Sequence, residues 1–220
     1  MGFWSSVGNF VSGAISTVCS AVGGAIAAGI STLATAIAPY LATVATIVSA
    51  IANILGIFKE NERPEDLGQA MEQMDKKPED FDSINEYIDY LREGIRSGEV
   101  KLNDNLSDIQ KAAYTATGAA LGIKAIDEKY QLQTSDEFWG QMGKKFEEGK
   151  ITPIEITKIL ETSSKNSVSA ENVTNYINGD KMTNGQKASG VSDAIESGLK
   201  AANPNMSDEE ITSRFNKLIE

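Results

Sequence analysis

No charged residue occurs in the first 58 residues of this 220-residue chain, and the first one is Lys59. A helix that spans a bilayer needs about 20 consecutive, mostly apolar residues. The charge-free segment is therefore long enough for two spans with a turn between them. Backbone N–H and C=O groups inside lipid must be paired within the segment, which favours helices over irregular chain. We therefore predict that residues 1–58 form an apolar helical hairpin that inserts into a membrane.

Small residues dominate the charge-free segment, which holds 12 Ala, 7 Gly, 7 Ser and 5 Thr. They recur at intervals of three or four residues, with Ile, Val and Leu beside them. A face of small residues lets helices approach closely in lipid, and Ser or Thr on it can hydrogen-bond between helices or line a thin polar path for ions. The predicted packing or pore face consists of Gly8, Ser12, Ser16, Ser20, Gly24, Ala28, Thr32, Ala36, Ala42, Ala45, Ser49, Ala52 and Gly56.

Two places in the segment predict an interruption of the helix. Pro39 has no backbone N–H, and it biases Ala38 before it away from helical geometry. We therefore expect the turn of the hairpin at Pro39, between arms at residues 7–38 and 40–58. The adjacent Gly23 and Gly24 are a second place, where the first arm is expected to break or kink.

Three interpretations of this segment stay open from the residues alone. It can form an ion-conducting pore, it can be a tightly packed membrane anchor, or it can be the buried hairpin of a water-soluble helical domain. An apolar hairpin of this size would aggregate if it were exposed to water. A cover is therefore expected, and the acidic remainder of the chain, a chaperone or a carrier protein can each supply it.

Residues 59–220 carry all 20 Lys and Arg and all 31 Asp and Glu, with a net charge of −11. An acidic balance argues against a nucleic-acid partner, which would need a basic patch. Capping boxes are predicted where Ser or Thr precedes Glu or Gln by three residues. Helix starts are expected at Ser107, Ser135, Thr152, Ser169, Thr183 and Ser207.

Strand signals are nearly absent from residues 59–220, because β-branched residues do not alternate there. We expect an all-α chain, in which the apolar Gly/Ala-rich helical hairpin precedes an acidic bundle of about six to eight short helices. The predicted domains are residues 1–58, the membrane-inserting hairpin, and residues 59–220, the acidic soluble helical domain.

The residues that usually carry catalysis or hold a metal are missing. The chain has no His and a single cysteine, Cys19, which lies in the apolar segment. The usual His-based nucleophile pairs and the usual His and Cys zinc ligands are therefore excluded. Gly118 and Gly122 lie inside a helical pattern with no strand before them, which argues against a phosphate-binding loop. We predict that the protein is not an enzyme and uses no cofactor or metal.

The order of segments over residues 1–91 resembles a known family. The opening MGFWSS leads into the charge-free run, which is followed by ENERPEDLG at residues 60–68 and by KPEDFDSINEYIDYL at residues 77–91. This layout resembles the small membrane-targeting antibacterial effectors of bacterial type VI secretion systems. The resemblance implies a secreted toxin that inserts its helical hairpin into the inner membrane of a target cell and depolarises it by forming an ion-conducting pore.

The resemblance also implies partners and a place of action. The protein would be made in the bacterial cytoplasm, carried by a tail-tube ring or a chaperone, and delivered to the lipid bilayer of a target cell. Copies could associate as a homo-oligomer in the membrane, and a cognate immunity membrane protein would protect the producer. The alternative function is a non-toxic membrane-anchored adaptor, or a structural protein of a virion or secretion apparatus.

Overall fold

The computed structural model of the chain describes residues 11, 13–17 and 24–220. These residues form helices and connecting segments without a strand, so the prediction of an all-α chain is confirmed. Residues 11 and 13–17 are helical. The α-helices whose ends are described are α1 (Ala25–Ile37), α2 (Leu41–Ile54), α3 (Pro64–Gln73), α4 (Ile84–Ser97), α5 (Asp108–Tyr130), α6 (Asp136–Glu147), α7 (Pro153–Lys165), α8 (Ala170–Asn178), α9 (Ala188–Ala202) and α10 (Asp208–Ile219).

The contacts within the chain divide it into two compact units, Met1–Glu128 and Lys129–Glu220. The sequence predicted a division after residue 58 instead. Residues 24–58 belong to the first unit, where Val48 and Phe58 lie against Gly122 of α5. Hydrophobic burial gives the reason, because an apolar helix in water gains stability from covering its bulky side chains. The predicted action of residues 1–58 as a membrane-inserting domain stays a prediction.

The turn expected at Pro39 is not there. The chain forms one helical run of 30 residues, Ala25–Ile54, in which a short 3₁₀ segment, Ala38–Tyr40, joins α1 to α2. A 3₁₀ turn needs no N–H from Pro39, and Ala38 keeps helical angles with φ −51° and ψ −38°. Ile37 and Val44 are buried on either side of the proline, so packing outweighs the local bias of Ala38. The interruption lies at Gly24 instead, with φ +96°.

Helix α5 is the central helix of the first unit. Residues 116–123 are all buried, whereas Ile109 in the first turn of the helix is exposed. Glycine explains how neighbours approach α5 so closely. A Cβ atom at Gly118 would lie 1.8 Å from the carbonyl oxygen of Pro64, and one at Gly68 would lie 2.2 Å from that of Tyr114. Helices α3 and α5 therefore pack backbone against backbone.

The second unit is a bundle whose helices begin mostly where the sequence predicted. Thr152 and Ser207 form capping boxes, and Ser135 and Ser169 accept hydrogen bonds from the first turns of their helices. The start expected at Thr183 is wrong, because α9 begins at Ala188. The side-chain oxygen of Asn172 accepts the Thr183 N–H at 2.7 Å and its hydroxyl at 3.3 Å, so a tertiary contact replaces the predicted cap.

A buried carboxylate connects three parts of the second unit. Glu155 is 1% exposed and accepts hydrogen bonds from Arg214 Nε and Nη2, both at 2.8 Å. It also accepts from Asn203 Nδ2 at 3.0 Å and from the Thr152 N–H at 2.8 Å. The C-terminal helix α10 is thereby fastened to the N-terminus of α7.

We expect the second unit to lose stability in acid. Burial tends to raise the pKa of Glu155, but its bonds to Arg214, Asn203 and Thr152 lower the pKa overall. Hydrogen bonds from Lys158 and Lys165 lower the pKa of Glu161 to about 2. A carboxylate with a depressed folded pKa stabilises the fold above its unfolded pKa, and this contribution is lost as the pH falls through the folded pKa.

The pKa of glutamate in an unfolded chain is about 4.3, so the loss of stability is expected between about pH 4.5 and pH 2. Urea midpoints followed by fluorescence of the buried Trp139, in a Trp4→Phe background, would measure it. The Glu155→Gln variant should show a smaller dependence on pH over this range. A midpoint that is constant between pH 5 and pH 2 would contradict the prediction.

Candidate membrane-inserting helix

The helical run Ala25–Ile54 is the one helix, among the residues that the structure describes, that is long and apolar enough to cross a membrane. At about 1.5 Å per residue its 30 residues extend over about 45 Å, which exceeds the hydrocarbon core of about 30 Å. The core helix of a soluble protein can meet the same criterion, but such a helix is mostly buried. Here 39% of the most apolar stretch is buried, so one side of the helix meets water.

The buried side of this helix carries its bulky residues. These side chains are at most 8% exposed: Ile30, Leu33, Ile37, Val44, Ile47, Val48 and Ile51. The exposed side carries mainly small or hydroxyl-bearing residues at heptad positions. We call these residues the outer stripe: Ala28, Thr32, Thr35, Pro39, Ala42, Thr46 and Asn53. Most of the bulky apolar surface of the helix is therefore covered, and the outer stripe is a narrow, mildly polar surface in contact with water. Three large side chains, Ile26, Tyr40 and Ile54, are also exposed.

The hydroxyls of Thr32 and Thr46 in the outer stripe are satisfied inside the helix. Thr32 Oγ1 donates to the carbonyl oxygen of Ala28 at 3.0 Å, and Thr46 Oγ1 donates to that of Ala42 at 2.8 Å. A hydroxyl without a partner in an apolar medium costs several kcal/mol, on the order of 2 to 7. Bonding to the carbonyl four residues earlier removes most of that cost. These two side chains are therefore compatible with water and with lipid.

The N-terminus of the helix is held by a residue of the acidic part of the chain. Gly24 precedes the helix with φ +96°, a conformation that glycine adopts without strain. The carboxylate of Glu79 accepts a hydrogen bond from the Ile26 N–H. A negative charge at this position also interacts favourably with the positive end of the helix dipole.

The C-terminus of the helix ends in a Schellman motif. Gly56 has φ +71°, its N–H donates to the Asn53 carbonyl at 3.1 Å, and the Ile57 N–H donates to the Ala52 carbonyl at 2.8 Å. The side chains of Ile57 and Phe58 are then buried in the first unit. Gly56 thus ends the helix, rather than lying on a helical face.

Arg92 of α4 contacts the chain on both sides of Phe58. Its Nη2 donates to the Ile57 carbonyl at 3.1 Å. Its Nε and Nη2 donate to the two carboxylate oxygens of Glu62, each at 2.8 Å, and its Nη1 donates to Asp89. The hydrogen bond to Glu62 is the main reason that the pKa of Arg92 is raised, despite partial burial. The guanidinium is therefore charged whenever the protein is folded.

The structure separates the residues of the predicted packing or pore face by exposure. Among the described ones, Ala36 and Ser49 are half-buried, and Ala45 and Ala52 are buried in the first unit. Gly8, Ser12 and Ser20 lie outside the described residues. The exposed ones are Ser16, Gly24, Ala28, Thr32, Ala42 and Gly56. Their role in packing or conduction stays a prediction.

The outer stripe contains residues that the predicted face omitted, namely Thr35, Pro39, Thr46 and Asn53. The expected turn at Pro39 gave the second arm its own register, which explains the omission of Thr46 and Asn53. Because the helix continues through Pro39, its exposed residues continue one heptad pattern, with steps of seven at 28, 35 and 42 and at 32, 39, 46 and 53. This heptad spacing is the sequence signal that identifies the exposed side of the helix. Nothing local pointed to Glu79 or Arg92, which lie far along the chain.

No group of three or more His, Cys, Asp or Glu side chains is placed to hold a metal ion within the described ranges. The predictions of no metal, no cofactor and no enzymatic activity stay predictions. No protein-family model, curated protein or solved structure matches the chain.

Proposed function

We propose that this protein is a secreted antibacterial toxin that inserts its apolar N-terminal segment into the inner membrane of a target cell and depolarises it. One observation carries this proposal. A charge-free helix of 30 residues is covered on its bulky side by the acidic part of its own unit. Lipid would offer these bulky side chains a second apolar environment, and it would keep their surface out of water as the first unit does, at about 25 cal/mol per Å² of surface kept from water.

The helix suits both environments without a change in its own hydrogen bonds. In water the first unit covers the bulky side, and the outer stripe presents mainly small and hydroxyl-bearing side chains together with Pro39 and the amide of Asn53. In lipid every backbone group must be paired within the helix, and Pro39 is accommodated by the 3₁₀ segment. The hydroxyls of Thr32 and Thr46 already have partners in the same helix. Transfer would therefore exchange one apolar cover for another.

Conduction of ions needs more than one helix, because a single helix encloses no path. The outer stripe is available for association, since its residues are exposed and recur with heptad spacing. Small residues at such positions allow close packing of helices in lipid, and hydroxyls can line a narrow path. We infer that copies of the helix associate through the outer stripe to form the pore.

The remaining partners follow from the same proposal. A net charge of −11 disfavours attraction to anionic lipid, so the apolar segment supplies the contact with the bilayer. A tail-tube ring or a chaperone would carry the folded protein, and a membrane-bound immunity protein would protect the producing cell. A purification from the native producer that returns a tail-tube ring or a small membrane protein would support this part.

A lysine at the centre of the apolar helix should prevent insertion without unfolding the protein in water. Ala42 is exposed, so the Ala42→Lys substitution leaves the covered face unchanged. At the middle of the span a lysine that faces lipid costs about 2.5 kcal/mol, or about 70-fold in the population inserted, and on the outer stripe it would also block close packing between copies. The measurement is release of ions from vesicles that carry a potential-sensitive dye.

The matched control is Ala201→Lys, which places the same exposed substitution in α9. The control should depolarise vesicles like the wild type. Equal activity of Ala42→Lys and the wild type would contradict insertion of this helix. Binding of the wild type to vesicles without ion release would reject the pore and favour the membrane-anchored adaptor. A wild-type protein that ignores vesicles altogether would reject the proposal.

A further inference from the structure

The apolar helix is fastened to the rest of the first unit by a polar contact at each end. Glu79 accepts from the Ile26 N–H at the start of the helix. Arg92 donates to the Ile57 carbonyl just beyond its end. Between these two contacts the helix is held by its buried apolar side chains. Apolar burial is non-directional, so the end contacts fix where the helix sits and from which end it can leave.

The C-terminal contact is the more extensive of the two. Arg92 makes a bidentate pair with Glu62 and also donates to Ile57, and its side chain is 22% exposed while that of Glu62 is 10% exposed. Charge-assisted, bidentate hydrogen bonds of this kind are stronger and more geometrically specific than neutral ones. Partial burial further shields the pair from screening by salt.

Arg92 also bridges the two sides of a short connection. Residues 59–63 join the buried Phe58 to the start of α3, and within them Lys59, Glu60 and Asn61 are exposed. Ile57 lies before this connection and Glu62 lies within it, near its end. Because Arg92 donates to both Ile57 and Glu62, it keeps the connection next to α4. None of these bonds is part of the helix, so releasing them leaves the hydrogen bonds of the helix intact.

We propose that Arg92 is a latch that holds the C-terminal end of the apolar helix in the first unit, and that residues 59–63 are the hinge on which the helix swings out. Arg92 is a positioning residue in this arrangement, and it regulates the insertion that the proposed function requires. The inference rests on that proposed function for its biological meaning. The opening of the helix in water can be measured without any membrane.

The experiment compares full-length Arg92→Met with full-length Arg96→Met by hydrogen exchange and mass spectrometry. Methionine keeps much of the apolar stem of arginine while removing its donors. Arg96 lies one turn later in α4, and its pair with Glu93 is largely exposed, at 77% and 57%. A helix released from its cover loses the packing that stabilises it, and isolated helices are only marginally stable in water, so its amides become open to exchange. We therefore expect the amides of residues 25–58 to exchange at least about tenfold faster in Arg92→Met, and at the wild-type rate in Arg96→Met.

A second variant, Glu62→Gln, keeps one of the two acceptor oxygens, replaces the other with an NH2 donor and removes the ion pair, so it should give a smaller increase in the same peptides. Unchanged exchange of residues 25–58 in both Arg92→Met and Glu62→Gln would overturn the latch. Faster exchange spread equally over α3, α4 and α5 would also overturn it, because that result indicates general destabilisation.

The same variants are then added to dye-loaded vesicles of neutral and anionic lipid. Faster exchange together with faster ion release supports the latch and the proposed function. Faster exchange of residues 25–58 with no ion release from any variant supports the latch and contradicts the pore. Failure of the latch and failure of the proposed pore are therefore distinguishable, because the first is measured in water and the second in vesicles.

Discussion

The Gly118→Ala substitution is expected to lower the free energy of unfolding of the first unit by about 3 kcal/mol, the upper end of the usual cost of overpacking. The added Cβ atom would lie 1.8 Å from the carbonyl oxygen and 2.5 Å from the carbonyl carbon of Pro64. Both atoms belong to the backbone at the start of α3, so no side-chain rotation can relieve the clash. Helices α3 and α5 would have to separate, which leaves gaps among the buried side chains around them.

Gly29→Ala is the matched control for this prediction. Gly29 lies inside α1 of the same unit, and the nearest atom to its added Cβ would be Lys124 Cε at 3.9 Å. Because alanine is a better helix former than glycine, this variant should gain about 0.5 to 1 kcal/mol. The same glycine-to-alanine change is therefore expected to lower the free energy of unfolding at Gly118 and to raise it at Gly29.

The urea midpoint of unfolding is measured for both variants, with unfolding monitored by hydrogen exchange in peptides of α3 and α5. The Gly118→Ala protein should unfold at a lower urea concentration than the wild type, and Gly29→Ala at a slightly higher one. A wild-type midpoint for Gly118→Ala would show that the two helices do not approach each other at this glycine. Loss of this packing would also loosen the cover of the apolar helix, since α5 contacts Val48 and Phe58 through Gly122.

The second large effect is expected for Arg214→Met, at about 3 kcal/mol in the second unit. Removing one partner of a buried ion pair costs about 3 to 5 kcal/mol, because the other charge stays buried and uncompensated. Glu155 is 1% exposed, and Asn203 and Thr152 would still donate to it. The lower end of the range applies, since the side chain of Arg214 is itself 22% exposed.

A double-mutant cycle with Glu155→Gln distinguishes a lost interaction from a buried charge. Glutamine keeps an acceptor for Thr152 and removes the charge, so Glu155→Gln with Arg214→Met should be more stable than Arg214→Met alone. Lys200→Met is the control, because Lys200 and Asp208 form an exposed pair between α9 and α10. Exposed pairs contribute about 0 to 1 kcal/mol. An equal loss in Arg214→Met and Lys200→Met would contradict the prediction.

Local signals predicted most helix starts of the acidic part correctly. Residues 59–220 contain eight α-helices, within the expected number. The capping boxes at Thr152 and Ser207 form as predicted, because a capping box joins groups only three residues apart. Thr183 has the same local character, but its N–H and hydroxyl bond to Asn172 instead. A local pattern cannot reveal a competing partner that is brought near by folding.

The charge-free segment predicted an apolar helical hairpin and the need for a cover. Its residues alone left three interpretations open, namely a membrane pore, a membrane anchor and a buried hairpin. The structure places the bulky side of this helix in the first unit and the outer stripe in water. The expected turn at Pro39 failed because the burial of Ile37 and Val44 on the same unit keeps the helix continuous. Val48 and Phe58 of the same segment pack against Gly122 of α5, which lies more than 50 residues later in the chain.

The sequence by itself determined the all-α class, the length of the apolar segment and its lack of charge, which keeps the free-energy cost of membrane insertion low. Each of these is a property of composition or of short spacing. Only the tertiary structure decided which side of the helix is covered and which residues fasten its ends. Burial is set by the surfaces that meet in space, here through Gly122, Glu79 and Arg92. The spacing of residues within the apolar segment contains no information about those distant partners.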